Sequence, residues 1–178
     1  LIEEFMLLAN ETVAAHAQRA SLPFPYRVHE SPDSEKLSAL ETFLADLGHP
    51  EHLGSRPVPQ KLQNVLNDFR DRPEGIIVAR TLLRAMSRAR YSEKPLGHYG
   101  LASRDYCHFT SPIRRYPDLL AHRMLKLLAS GKLDEASSAR WSERVAERAA
   151  ESSDCEERAA MCERDGDRLM CAAYLSQH

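Results

Sequence analysis

The chain has 178 residues, 43% hydrophobic and 28% charged, with a formal net charge of −2. That is the size of one domain with enough apolar surface for a real core, and no apolar run approaches the ~18 residues of a membrane span. The near-neutral total argues, by itself, against a strong nucleic-acid binder.

The chain opens on Leu1-Ile2-Glu3-Glu4-Phe5, which reads as a helix already under way, so polypeptide upstream is expected. Ile2, Phe5, Met6, Ala9 and Val13 recur at three- and four-residue steps and predict a helix over 1–20 with one apolar stripe. Pro23 and Pro25 end it, and residues 24–29 are aromatic and β-branched enough for a strand. A turn at 31–34 starts a second helix from Lys36 to Leu47, with Leu37, Leu40, Phe43, Leu44 and Leu47 inward and Gly48 as its stop. After a loop at 49–58, a short helix runs from Pro59 to Arg70. Pro73 suits the first turn of the next, which continues to about Arg90.

Residues 97–102 and 105–110 read as two short strands with a tight turn. Ser111-Pro112 is an N-cap followed by a good first helical residue, so a helix is expected from there to Gly131. From about Ala136 to the end the chain is strongly helical, as two helices or one long bent one. The four cysteines form no CxxC pair and have no nearby His, so cytoplasmic free thiols, partly buried, are expected rather than a zinc site. No residue is assigned as a metal ligand.

The charge is unevenly spread. Residues 80–126 hold ten basic and three acidic side chains, while the segments on either side are acidic. A local basic stripe is the footprint of a polyanion site, or else a solvated helix face. Within it, His98, Tyr99, Tyr106, His108 and Phe109 precede Arg114 and Arg115 at the expected helix start. Stacking rings beside phosphate-pairing arginines are what single-stranded RNA recognition uses. Adjacent arginines cannot face one direction on a helix, so one would bind substrate while the other pairs with Asp118 or meets solvent. For His98 and His108 a hydrogen-bonded structural role is at least as good a reading as ligand contact.

The stretch His108-Phe109-Thr110-Ser111-Pro112-Ile113-Arg114-Arg115-Tyr116-Pro117-Asp118-Leu119, with His122-Arg123, resembles the signature of the RNase II/RNase R family of exoribonucleases (the RNB catalytic domain). Residues 2–10, 26–30, 82–91 and 97–102 are similar to that family in the same order, and Arg114-Arg115-Tyr116-Pro117-Asp118 is closer to RNase R. The resemblance implies an α+β fold, the helix-rich C-terminal portion of one RNB-type catalytic domain over residues 1–178. It also implies Mg²⁺-dependent, processive 3′→5′ hydrolysis of single-stranded RNA to nucleoside 5′-monophosphates in the cytoplasm, without a membrane partner. Arg114 matches the catalytic arginine, and Glu3 an acidic residue near the terminal nucleotide. Asn10, His98, Tyr99, Arg115 and Glu163 are further candidates for lining the RNA channel. The family's aspartate-rich metal motif and its flanking OB/S1-type domains find no counterpart in this sequence. The Mg²⁺ ligands are therefore expected upstream, in the other part of the same domain. The alternatives are a non-catalytic RNA-binding or interaction module of the same fold and a helical protein-interaction domain.

Overall fold

A computed structural model describes residues 1–55 and 57–177. It contains six helices, α1 (Ile2–Arg19), α2 (Ser34–Asp46), α3 (Pro59–Asp68), α4 (Gly75–Ala85), α5 (Tyr116–Ala129) and α6 (Glu135–Leu175). Two strands, β1 (Tyr26–Val28) and β2 (Arg90–Ser92), and a 3₁₀ turn at Tyr99–Leu101 complete it. This is the helix-rich fold with few strands that the sequence predicts. No helix among the described residues is long and apolar enough to cross a membrane.

Two cores divide the work. Leu37, Leu40 and Leu44 of α2 meet Leu62 and Val65 of α3 and Val78 and Leu82 of α4, with Phe69 and Leu53 closing the cluster. Asp33 starts α2 by accepting the Glu35 and Lys36 N–H groups, a cap worth about 1 kcal/mol. The second core joins Ala14 and Ala17 of α1, Phe24, Tyr26 and Val28 around β1, Leu120, Ala121 and Met124 of α5, and Val145 of α6. Each large apolar side chain buried here contributes roughly 1.5–3 kcal/mol.

The sheet is not the pair of strands expected at 97–110. β1 pairs antiparallel with β2, in the register Tyr26↔Ser92, Arg27↔Tyr91 and Val28↔Arg90. The helix expected to reach Arg90 stops at Ala85, because Met86 turns extended (φ −68°, ψ 142°) and feeds the chain into β2. Residues 105–109 run irregularly along the other side of β1, where the Arg27 N–H donates to the Tyr106 carbonyl at 2.9 Å.

The expected stripe of α1 is also overturned. Ile2, Phe5 and Met6 are exposed, and the buried face is Asn10, Ala14 and Ala17. Ile76, Ile77 and Leu83 on α4 and Ile113 before α5 are exposed as well. α6 is one continuous helix. It packs through Val145 and Ala149, and from Asp154 onward every described residue is exposed. Cys155, Cys162 and Cys171 are therefore exposed rather than partly buried, and only Cys107 is a buried thiol.

Candidate nucleic-acid interface

The helix expected at Ser111-Pro112 begins five residues later, at Tyr116, with Arg115 as its extended N-cap. A helix running from Pro112 would have carried Pro117 in its interior, where the ring clashes and a hydrogen bond is lost. Pro117 instead falls in the first turn of α5. Residues 111–115 form a separate turn in which the Arg114 and Arg115 N–H groups both reach the Ser111 carbonyl, at 3.3 and 3.1 Å.

Three buried or half-buried side chains fix this segment. Asn10 is 3% exposed. Its amide accepts the Phe109 N–H at 3.1 Å and donates to the Tyr106 hydroxyl at 3.1 Å. His122 meets the Phe109 carbonyl at 2.9 Å and stacks on the Phe109 ring, 4.0 Å between centroids. Asp118 is fully buried. One of its carboxylate oxygens accepts both the Ser111 N–H at 2.8 Å and the Arg115 guanidinium at 2.8 Å. Arg115 is thus the member of the pair committed to Asp118. Arg114 is exposed, and its guanidinium makes no hydrogen bond or ion pair with any described residue.

Arg114 borders a cavity of about 700 Å³ whose walls include Tyr91, Arg115, Tyr116 and Pro117, and Arg148, Ser152 and Glu156 of α6. Arg148 is held by Glu147 and Glu151. Behind the wall runs a ladder of edge-on rings, with His29–His98, His98–Tyr106, Tyr106–His108 and Tyr91–His108 centroids 5.1, 5.2, 5.9 and 5.6 Å apart. The Tyr91 hydroxyl lies 2.9 Å from His108 Nδ1, and the Arg27 guanidinium covers the Tyr91 ring at 4.7 Å. Burial, then the nearby Arg115 and Arg27 charges, push His108 down to about 3. Burial, then His29 and Arg27, push His98 down to about 4. Burial raises the Tyr91 hydroxyl to about 12. At neutral pH His98, His108 and Tyr91 are uncharged. They supply stacking surface and a rigid backing, while the positive charge belongs to the arginines.

The other candidates do not converge on this cavity. Asn10 acts only through the segment it holds. Glu3 sits on the exposed first turn of α1. Tyr99 is turned toward the α2–α3 loop, where its hydroxyl donates to the Pro57 carbonyl at 2.6 Å. His98 is an inner rung of the ladder. Glu163 borders a second cavity of about 700 Å³ with Arg27, Arg88 and Glu157.

The basic stripe is also less free than its composition implies. Arg88 pairs with Glu157 and Arg90 pairs with Glu30 at 3.1 Å; outside the stripe, Arg27 forks onto Glu156 at 2.5 and 3.0 Å. Glu157 of α6 therefore neutralises part of the stripe. Sequence reasoning missed Tyr91 as a wall of the cavity and Arg27 and Glu156 as its neighbours. They meet across 129 residues of chain, and no local spacing signals that pairing.

Comparison with known proteins fits this geometry. The RNB domain matches residues 1–131. Ribonuclease R 1 of Lactococcus lactis is 41% identical over the whole chain, which spans only 22% of that protein. The apo form of Mycoplasma genitalium RNase R superposes with a TM-score of 0.85 at 33% identity, over 93% of this chain and 26% of that one. The same protein has been solved in complex with ribose methylated single-stranded RNA, which gives a TM-score of 0.80. Yeast Ssd1, described as a pseudonuclease, superposes with a TM-score of 0.69 at 25% identity, over 86% of this chain and 19% of that one. This chain belongs to the RNB domain family.

Proposed function

We propose that this chain is part of an RNA-degrading exoribonuclease of the RNase R kind and that Arg114 contacts the phosphate being cleaved. The observation that carries the proposal is the unpaired, exposed guanidinium of Arg114 on a cavity wall, mounted on a segment fixed by Asn10, His122 and Asp118. Such a guanidinium, held in place before substrate arrives, stabilises charge as it develops on phosphate oxygens. Tyr116 beside it, 42% exposed, offers a ring face to a base. The RNA-bound form of the Mycoplasma relative supports RNA as the partner. In this reading the parent enzyme acts processively from the 3′ end of single-stranded RNA and requires Mg²⁺. No group of three or more His, Cys, Asp or Glu among the described residues could hold a metal ion. The acids of this chain thus do not fit a Mg²⁺ site, and the ion's ligands would belong to other polypeptide.

The test is Arg114→Ala in the full-length protein, assayed by single-turnover cleavage of 5′-labelled RNA alongside equilibrium binding. Turnover should fall on the order of 100-fold or more, the scale for losing one preorganised donor, with RNA affinity little changed. Equal losses in affinity and turnover would reduce Arg114 to a gripping residue.

A second reading, a non-catalytic RNA-binding or interaction module, is favoured by the likeness to a pseudonuclease. Full-length protein that retains RNA on a filter yet leaves it intact with Mg²⁺ present would select this reading. Stepwise loss from the 3′ end would reject it.

A further inference from the structure

The Arg114 cavity lies at the N-terminal end of α5, and a different surface forms at the other end, about 20 Å away at 1.5 Å per helical residue. There Arg123, Lys126, Leu127 and Ser130, with Lys132 of the following turn and Trp141 of α6, enclose a cavity of about 340 Å³. Trp141 also borders an adjoining cavity of about 510 Å³ with Arg140, Arg144 and the carboxylate of Glu143. The Arg144 guanidinium lies 5.4 Å from the Trp141 ring centroid.

Some cations of the molecule are neutralised by a carboxylate and others are not. Arg27, Arg88, Arg90, Arg115 and Arg148 each have a carboxylate partner. Arg123, Lys126 and Lys132 have none among the described residues, and no described carboxylate lines the cavity they share. They line the same cavity as the one tryptophan of the chain. Trp141 also packs against the α1–α5 core. That packing accounts for an apolar residue at this position, but not for three unneutralised cations beside an indole. Cations that pair with phosphates around an aromatic ring that stacks on bases are the working parts of a single-strand contact.

We propose that the α5–α6 elbow around Trp141 is a second, non-catalytic contact for single-stranded RNA, separate from the Arg114 cavity. The choice of RNA over another polyanion rests on the function proposed above.

Because Trp141 is the only tryptophan, its emission reports this site alone. Oligouridylate titrated into the 178-residue chain should quench it saturably. Lys126→Glu combined with Lys132→Glu should weaken binding about tenfold or more. It should also flatten the log–log salt dependence by about 1.4, since each single-strand phosphate contact contributes about 0.7. Both lysines are exposed, and circular dichroism checks that the variant is folded. Arg114→Ala should leave the quenching in place. RNA that binds by anisotropy while Trp141 emission and the lysine variant's affinity stay unchanged would overturn this site and leave the Arg114 cavity standing. Equal quenching by poly-L-glutamate, or no RNA binding at all, would also overturn it. Trp141 quenching by an RNA that the full-length protein never cleaves would instead count against the proposed exoribonuclease and keep the elbow site.

Discussion

Replacing Asp118 with Asn should destabilise the fold by about 3 kcal/mol, at the lower end of the loss when one partner of a buried ion pair is removed. The figure follows from the site. Asp118 is 0% exposed, and one oxygen serves both the Ser111 N–H and the Arg115 guanidinium. Asn keeps the shape and can still accept the Ser111 N–H, but it withdraws the charge that compensates Arg115. The Arg115 side chain retains 21% of its exposure, so its stranded charge keeps some water, which argues for the lower end of the range. For a domain of this size, each kcal/mol moves the melting temperature by about 2–4 °C, so a drop of roughly 6–12 °C is expected. Calorimetry or thermal circular dichroism reads it directly. The double variant Arg115→Met, Asp118→Leu should recover much of the loss, because replacing both partners by apolar groups removes the unpaired charge. A shift under about 2 °C for Asp118→Asn, half the change that even 2 kcal/mol implies, would refute the assignment of Asp118 as the anchor of the Arg114–Arg115 turn.

Two further outcomes follow from the ring ladder. A Cβ added at Gly100 would lie 2.8 Å from His29 Nδ1, the atom that accepts the Gly100 N–H at 3.1 Å. Gly100→Ala should therefore destabilise by about 1–3 kcal/mol, the range for overpacking, and an unchanged urea midpoint would dismiss that close approach. His98 and His108 are held at about 4 and about 3 in the fold, below the ordinary ~6.5. The unfolded chain then binds protons first as the pH falls. Stability is intact above about 6.5 and declines below it toward those folded values, by up to about 1.4 kcal/mol per pH unit for each histidine. His108→Gln should make the acid limb shallower, and identical urea midpoints at neutral and mildly acidic pH in the parent chain would contradict the burial of both rings.

What the sequence discloses is what is locally encoded. The α2 and α3 faces follow from their leucine and valine spacing. The pairing of one arginine with Asp118 was open to reading, although both arginines precede α5 and it is the turn at 111–115, not a helix face, that separates them. The start of α5 was misread although its signal is present. Pro112 and Pro117 both suit a first turn, and only the second leaves no proline in the helix interior. The strand expected at 24–29 is β1, but its partner was misplaced for a different reason. β1 and β2 are three residues each and sit on opposite sides of the α2–α4 unit, so their pairing is a product of the tertiary fold. The α1 stripe failed because apolar spacing shows that a face exists without showing what covers it. The overestimate of free positive charge has the same origin, since the carboxylates that answer Arg27 and Arg88 come from α6.

The exposed part of α6 gives the molecule a mechanical asymmetry. Asp154 to Leu175 forms an arm of about 33 Å at 1.5 Å per residue, supported at its root by Val145 and Ala149. By simple leverage, a tilt of roughly 5° at the root would carry the tip about 3 Å along an arm of that length. The reverse also holds, since whatever holds the tip sets the angle at the root. The residues at that root, Glu156 and Glu157, hold Arg27 and Arg88, and Glu156 is also part of the wall facing Arg114. One helix thus supplies both a wall of the Arg114 cavity and the long exposed arm.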